Sequence, residues 1–255
     1  MTSTPRNAAS KTPSQAPMEP IGGGKRLYQQ VAEHLAEAIR NGEYPLGSRL
    51  APERDLAERY GISRATVREA IIALEVGGMV EARGGSGVYV IGVQPEAPLP
   101  AGGPGPFEVL KARLLVEPEV AALAAQMAKP SDLEGLRELL QTLTCSLDTI
   151  QGHENVDRAF HVKLAEATGN SALVQMVADL RSQAKGEIWT HLQDRFDTPE
   201  LRMQFMEDHR ALFMALVEQD PRAARRIMRS HIQRVISAFV RCWQTPDATP
   251  SDGLP

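Results

Sequence analysis

Four residues of types that commonly bind metal ions lie on predicted helices in the second half of the chain. Asp157 and His161 stand four residues apart, a little over one helical turn, so both side chains emerge on one helix face. His209 and His231 fall on the apolar faces of two later helices. One carboxylate and three imidazoles can bind a divalent metal, act as an acid/base pair, or satisfy one another in a core. Spacing alone leaves these alternatives open.

Arg113 is a further candidate, on an apolar predicted helix with the sequence KARLLVEPEV. A cation inside a helix bundle is costly unless it meets an anion. Arg113 therefore forms a buried ion pair with Glu117, one turn further on, or receives the carboxylate of a ligand. The sequence leaves both possibilities open.

The composition is that of an ordinary globular protein. The 255 residues are 42% hydrophobic and 24% charged, with a formal net charge of -4 and a pI near 5.9. No apolar run approaches the roughly 20 residues that span a bilayer, and the first residues lack the apolar stretch of a secretory signal. Cys145 and Cys242 are far apart, which disfavours a disulfide framework or a thiolate zinc site. We expect a cytoplasmic protein without membrane contact.

A proline- and glycine-rich stretch divides the chain in two. Residues 92–106 (GVQPEAPLPAGGPGP) are predicted to form a linker, because they suit neither a helix nor a sheet interior. The fold class expected is mainly α, a winged helix-turn-helix followed by an all-α antiparallel bundle. The predicted segments are a disordered leader (1–24), the winged domain (25–91), the linker (92–106), the bundle (107–243) and a flexible tail (244–255).

Helix start and stop signals define the elements of both domains. Ser131 with Glu134, Thr198 and Asp220 are predicted N-terminal caps, and Gly61 is a predicted helix end. The predicted bundle helices are 106–128, 131–149, 152–168, 171–192, 198–219 and 221–243. The first domain is predicted to contain helices 27–41, 52–61 and 64–78, followed by strands 79–83 and 87–91.

The second and third predicted helices are joined by a short turn and followed by a hairpin. This order is typical of a winged helix-turn-helix, in which the third helix enters the major groove of DNA. Arginine guanidinium groups and hydroxyl groups at the start of that helix can hydrogen bond to base edges and phosphates. A glycine-rich hairpin tip can approach the minor groove closely. The alternative is a protein–protein module, because residues 25–91 hold nine basic and nine acidic residues. The predicted DNA contacts are Arg54, Ser63, Arg64, Thr66, Arg68, Arg83, Gly84 and Gly85.

The segment YPLGSRLAPERDLAERYGISRATVREAIIALEVGGMVEARGGSGVYV resembles the DNA-binding domain of GntR-type bacterial transcriptional regulators. The resemblance extends from Leu27 to Ile91 and implies a winged helix-turn-helix with the DNA contacts just named. Ala51-Pro52 departs from the Pro-Ser of many relatives, which affects only how the second helix is capped.

The second half resembles the FCD ligand-binding domain of the FadR subfamily in three stretches: FEVLKARLLVEPEVAALAA, DRAFHVKLAEATGN and EDHRALFMALVEQDPRAARRIMRSHI. The resemblance implies that Asp157, His161, His209 and His231 bind one divalent metal, with Zn expected and Ni, Mn or Fe as alternatives. It also implies that Arg113 binds the carboxylate of a small effector. The first of these stretches, with EIWTHL, is also similar to hexuronate-type repressors, which implies a sugar acid.

These features together predict a ligand-responsive repressor, a homodimer on palindromic operator DNA that is modulated by a carboxylate metabolite. One alternative is a metal-dependent hydrolase or lyase, in which a metal-bound water reacts beside His and Asp. The other is a regulator with a purely structural metal and a different effector.

Overall fold

A computed structural model of the chain describes residues 26–100, 103–145 and 150–244. The predicted leader and most of the predicted tail lie outside these ranges. None of the described helices is long and apolar enough to cross a membrane. The described elements, in order, are α1 (Leu27–Arg40), α2 (Glu53–Tyr60), α3 (Arg64–Val76), β1 (Val80–Arg83), β2 (Gly87–Val90), α4 (Pro106–Met127), α5 (Pro130–Cys145), α6 (Ile150–Glu166), α7 (Ser171–Ser182), α8 (Glu187–Phe196), α9 (Pro199–Val217) and α10 (Pro221–Gln244).

The turn between α2 and α3 is built by local signals that the sequence shows. Gly61 ends α2 with φ +67°, a left-handed conformation that glycine adopts without steric cost. Ser63 caps α3, its hydroxyl accepting the N–H of Thr66 at 3.1 Å. Buried Leu35 of α1 and Val67 of α3 belong to the apolar core that joins the three helices. This core fixes the start of α3 at the protein surface.

The hairpin that follows α3 forms the wing. β1 and β2 pair antiparallel, with Val80 opposite Val90 and Arg83 opposite Gly87. The chain before α2 adds to this sheet, because the N–H of Leu50 donates to the carbonyl of Val88 at 2.8 Å. The wing is therefore tied by backbone hydrogen bonds to the segment that leads into α2.

The second half of the described chain is helical, as predicted. The long helix α4 lies in the middle of this bundle, where it contacts α6, α7, α9 and most extensively α10. Its buried positions include Phe107, Leu110 and Val120, which pack apolar surface against these neighbours. Two helix starts are capped as predicted. Thr198 accepts the N–H of Leu201 at 3.2 Å, and Asp220 accepts the N–H groups of Arg222 and Ala223.

Two details of the helix prediction were wrong. The predicted helix 171–192 is two helices, α7 and α8, separated at residues 183–186 where Gly186 has φ +99°. The apolar periodicity continues across the break, so periodicity alone hid it. The start of α5 is also different, because Asp132 rather than Ser131 accepts a backbone N–H, that of Lys129 at 3.0 Å. The helix therefore begins at Pro130, one residue earlier than expected.

Candidate functional site

The structure brings the four predicted metal-binding residues together inside the helical bundle. One ligand atom from each of Asp157, His161, His209 and His231 lies within 4.8 Å of all the others. Asp157 and His161 come from α6, His209 from α9 and His231 from α10. The Nε2 atom of His209 lies 3.1 Å from Asp157 Oδ1 and 3.3 Å from His161 Nε2. All three imidazoles are buried. Three helices thus direct one carboxylate and three imidazoles to one point.

Carboxylates outside the cluster orient two of the three imidazoles. His161 donates from Nδ1 to Glu117 Oε2 at 2.5 Å, and His231 donates from Nδ1 to Asp208 Oδ2 at 3.2 Å. When Nδ1 donates a hydrogen bond, the lone pair of Nε2 remains available to a metal, which is the usual arrangement of metal-binding histidines. The sequence reasoning named Glu117 only as a partner for Arg113 and missed Asp208.

The electrostatics of the cluster suit a cation. Burial lowers the pKa of His209, and it lowers the pKa of His231 to about 4, so both rings are neutral at pH 7. Burial alone would raise the pKa of Asp157, but Arg181 and His161 hold it well below its usual range. Neutral imidazole and ionised carboxylate are the forms that bind divalent metals. The donor set therefore fits a divalent metal, with nitrogen ligands suited to Zn, Ni or Fe and the carboxylate acceptable to Mn.

Arg113 lies beside this cluster and is paired. Its Nε donates to Glu117 Oε1 at 2.5 Å, and the side chain is 3% exposed. The ion pair considered from the sequence is therefore formed. One terminal nitrogen of Arg113, Nη2, is buried without a hydrogen-bond partner in the described structure. A buried donor of this kind is costly to leave unsatisfied. Arg113 thus holds Glu117 and still has a donor for a ligand.

Arg181 is a second buried arginine at the cluster, and sequence reasoning missed it. It donates to Asp157 Oδ2 from α7, and 5% of the residue is exposed. Its position in the stretch DLRSQ carries no signal of burial, because arginine in such a polar stretch is usually solvated.

A cleft opens next to the cluster of Asp157, His161, His209 and His231. Its empty space, including space open to solvent, is about 620 Å³. The lining combines basic, acidic, amide and aromatic side chains. Its residues are Arg113, Glu154, Asp157, Arg158, Arg181, Ala184, Trp189, Gln193, Asp197, Phe205 and Val235. Trp189 and Gln193 come from α8, so the unpredicted break before that helix shapes the cleft.

A second concave surface lies between the wing and the starts of α2 and α3. The empty space of this groove, including space open to solvent, is about 1020 Å³. Arg54, Arg64 and Arg83, three of the predicted DNA contacts, line it. Arg54 is 82% exposed and Arg64 62% exposed. Arg83 lies over the ring of Tyr89, 4.7 Å from its centroid. The groove is also lined by Gly85, whose φ of +70° favours glycine at the hairpin tip. Gly84 precedes it in the same turn.

The other predicted DNA contacts have local partners. The hydroxyls of Ser63 and Thr66 lie 2.9 Å apart at the N-terminus of α3, with Ser63 exposed. Arg68 is 6% exposed and donates from two nitrogens to both carboxylate oxygens of Glu53, at 2.9 and 2.7 Å. The Arg68 guanidinium joins α3 to α2 and is enclosed by the protein.

Two buried glutamates of α3 connect it to the helical bundle. Glu69 accepts the N–H groups of Phe107 and Glu108 at the start of α4, at 2.7 and 3.3 Å. Glu75 contacts His191 and Arg195 of α8 at 3.0 and 3.1 Å, and it accepts the N–H of Ala82 in β1 at 2.9 Å. His191 therefore links the two halves of the chain through its hydrogen bond with Glu75.

Comparison with known proteins agrees with both halves of this structure. Residues 27–90 match the family model of bacterial regulatory proteins of the gntR family, and residues 108–234 match the FCD domain model. The Uxu operon transcriptional regulator of Escherichia coli K12 is 35% identical over 228 residues, 86% of this chain and 88% of that protein. The Exu regulon transcriptional regulator of E. coli K12 is 36% identical over 219 residues, 82% of this chain and 83% of that protein. The Uxu operon regulator of Haemophilus influenzae is 34% identical over 217 residues, 82% of this chain and 80% of that protein.

Proposed function

The chain belongs to the GntR family of bacterial transcriptional regulators and carries an FCD domain, and we propose that it is a metal-dependent, metabolite-responsive repressor. In this proposal it binds palindromic operator DNA as a homodimer of the FadR subfamily. A carboxylate metabolite in the cleft of the bundle modulates its affinity for DNA. Its relatives are named as regulators, and it is not an enzyme.

The observation that carries this proposal is the charge balance around the metal-binding cluster. The carboxylates of Glu117, Asp157 and Asp208 are each paired with an arginine: Arg113, Arg181 and Arg234 respectively. An imidazole that binds a metal does so in its neutral form. A divalent metal at the cluster therefore adds about two uncompensated positive charges next to the cleft. An anionic ligand neutralises them, and the free nitrogen of Arg113 gives it a charge-assisted hydrogen bond.

The remainder of the cleft supports a sugar acid as the ligand. Gln193 and Asp197 offer an amide and a carboxylate that can hydrogen bond to hydroxyl groups, and Trp189 offers an aromatic face. The similarity to Uxu and Exu regulators supports the hexuronate-type resemblance found in the sequence.

On the DNA side, Arg54 and Arg64 extend from the starts of two helices, and Arg83, Gly84 and Gly85 form the tip of the wing. We propose that Arg64 and the hydroxyls of Ser63 and Thr66 meet base edges and phosphates, as the sequence predicts. The ion pair with Glu53 gives Arg68 the role of holding α2 against α3.

A thermal-shift screen tests this function. Full-length protein is first treated with EDTA, then reloaded with Zn, Ni, Mn or Fe, and its melting temperature is measured with hexuronates, aldonates and small dicarboxylates. A ligand at about 100 times its dissociation constant stabilises the folded state by about 2.7 kcal/mol. We expect the stabilisation only in metal-loaded protein, and we expect the same acid to change affinity for a DNA duplex selected from a random library.

Arg113→Gln provides the matched variant. It keeps a hydrogen-bond donor near Glu117 but removes the charge that pairs with this buried carboxylate, so we expect a lower melting temperature. The acid should no longer raise this melting temperature, while DNA binding persists. An acid response that survives metal removal or this substitution would contradict the proposed ligand site. A metal that raises the melting temperature with no acid effect at all would favour the purely structural metal.

A further inference from the structure

A fourth arginine, absent from the predicted DNA contacts, lines the groove between the wing and the helices. Arg49 shares this groove with Arg54, Arg64 and Arg83. Arg49 is exposed, and it has no ion-pair partner within the part of the chain that the structure describes. The other three each have a carboxylate nearby: Asp55 at 3.2 Å, Glu53 at 3.6 Å and Glu81 at 2.7 Å. Arg49 therefore carries the least compensated positive charge in the groove.

The backbone of Arg49 is fixed to the wing. Arg49 and Tyr89 form an antiparallel bridge, and hydrogen bonds lie on both sides of it. Leu50 N donates to the Val88 carbonyl at 2.8 Å, and Val90 N donates to the Ser48 carbonyl at 2.9 Å. Because the same segment leads directly into α2, Arg49 keeps one position relative to both the wing and the helices. An arginine held in this way loses little backbone freedom when it binds.

A glycine of the wing makes room for this guanidinium. Gly87 has φ +119°, and a Cβ atom placed there would lie 2.2 Å from Arg49 Nε and 2.8 Å from its Cζ. Any other residue at this position would force the guanidinium to move. Gly87 therefore serves both the turn of the hairpin and the close approach of the Arg49 side chain to the β2 backbone.

We propose that Arg49 is a further DNA-binding residue that contacts the phosphate backbone from the junction of the wing and α2. Arginine donors match phosphate oxygens in a bidentate geometry, and phosphate contacts position a protein on DNA without reading its sequence. The inference rests on the proposed DNA-binding function and adds a contact to it. Because Arg49 has no carboxylate partner among the described residues, it reaches phosphate without breaking an ion pair.

Salt dependence of DNA binding tests the inference. Full-length wild-type protein and Arg49→Gln are titrated by fluorescence anisotropy against two duplexes, one selected from a random library by the wild-type protein and one of scrambled sequence. A plot of the logarithm of the association constant against the logarithm of the salt concentration has a negative slope. In Arg49→Gln we expect this slope to become shallower by about 0.9 for each bound subunit that loses the contact. Affinity for both duplexes should weaken by the same factor, so the ratio between them stays constant. Arg49→Lys retains the charge and should retain the slope.

Arg40→Gln is the matched control. Arg40 is exposed at the end of α1, and it does not line the groove, so the same loss of charge there should leave the slope unchanged.

Arg64→Gln should instead reduce the ratio of the affinity for the selected duplex to the affinity for the scrambled duplex. An unchanged slope in Arg49→Gln, or an equal loss in Arg40→Gln, would overturn the assignment of Arg49. Absence of DNA binding by the wild-type protein would instead overturn the proposed function. Circular dichroism of each variant verifies that it is folded.

Discussion

The arginines of this protein show how burial separates roles that are equivalent in the sequence. Arg64 and Arg68 lie one turn apart on α3, and both were predicted to contact DNA. Arg64 is 62% exposed in the groove, whereas Arg68 is 6% exposed and bound to both oxygens of Glu53. Removing one partner of a buried ion pair leaves the other charge uncompensated, which is strongly destabilising. Loss of DNA binding in an Arg68 variant would therefore report on folding as well as on contact.

The sequence identified the four residues that form the cluster but not the residues around them. Asp157 and His161 are placed on one face by helical spacing, and His209 and His231 fall on the apolar faces of later helices. The family resemblance implied that the four residues bind one metal. Arg181 and Asp208 were missed, because pairing between different helices leaves no periodic signal in the sequence. Their roles follow from side-chain contacts, Arg181 with Asp157 and Asp208 with His231.

Glu69 gives a prediction for stability as a function of pH. It is 4% exposed, and burial raises its pKa to about 7 from the ordinary value of 4.5, against the opposing effect of two N–H groups of α4. Between pH 4.5 and pH 7, the Glu69 carboxyl group is deprotonated in the unfolded chain but stays protonated in the folded protein. Stability therefore falls as pH rises from 4.5 to 7, by about 3 kcal/mol in total.

Glu69→Gln keeps an oxygen acceptor for the start of α4 and removes the titration. We expect the stability of this variant, relative to wild type, to increase by about 3 kcal/mol between pH 4.5 and pH 8. Urea denaturation at a series of pH values measures the difference. Glu138→Gln, an exposed glutamate of α5, is the control and should follow the wild-type pH profile. Parallel profiles for wild type and Glu69→Gln would refute the burial argument.

At the scale of elements, α8 connects the cleft with the DNA-binding half. Trp189 and Gln193 of α8 line the cleft, while His191 and Arg195 of the same helix contact Glu75. Glu75 also accepts the N–H of Ala82 in β1. Burial alone would raise the pKa of Glu75, but the hydrogen bonds from His191 and Ala82 and the charge of Arg195 lower it, so the carboxylate is ionised. In the proposed function, a shift of α8 on ligand binding would therefore act directly on α3 and the wing.

This arrangement predicts the effect of a double substitution, His191→Gln with Arg195→Gln. It removes the His191 imidazole and the Arg195 charge that α8 presents to Glu75 and preserves the Glu75–Ala82 bond. We expect ligand binding and DNA binding to persist separately, while the coupling between them falls from about 1–3 kcal/mol towards zero. The measurement is DNA affinity with and without the acid identified by the thermal-shift screen.

Arg225→Gln is the control for the double substitution. Arg225 and Glu119 form an exposed ion pair between α10 and α4, at 2.6 Å, and neither residue lines the cleft. Coupling should remain intact in this variant. Full coupling in the double variant would show that α8 does not transmit the signal through Glu75.

The break between α7 and α8 is the feature at this scale that the sequence did not predict. Apolar periodicity predicted one helix over 171–192, and Gly186 alone was a weak signal against it. The separate orientation of α8 is stabilised by contacts with α3 and α10, which are distant in sequence. The caps at Ser63, Thr198 and Asp220 were predictable, because each depends on residues within one turn.

At the scale of the molecule, the proposed homodimer determines what DNA it recognises. Two winged domains related by a twofold axis require two half-sites in inverted orientation, with their centres separated by a whole number of helical turns. In the proposed complex, each α3 reads one half-site and each arginine-lined groove contacts one set of phosphates. Affinity for the complete operator therefore depends on both subunits binding one face of the duplex.

Changing the spacing between half-sites tests this geometry. Inserting about 5 base pairs rotates one half-site by half a turn to the opposite face of the duplex, so we expect affinity to fall to that of a single half-site. Inserting about 10 base pairs returns the half-site to the original face of the duplex but increases the distance between the two half-sites, so we expect the affinity to recover only in part. Anisotropy titrations measure affinity, and analytical ultracentrifugation should find two chains per full duplex. One chain per duplex, with affinity insensitive to the insertion, would mean that each subunit binds alone and that the arginine groove suffices without a symmetric partner.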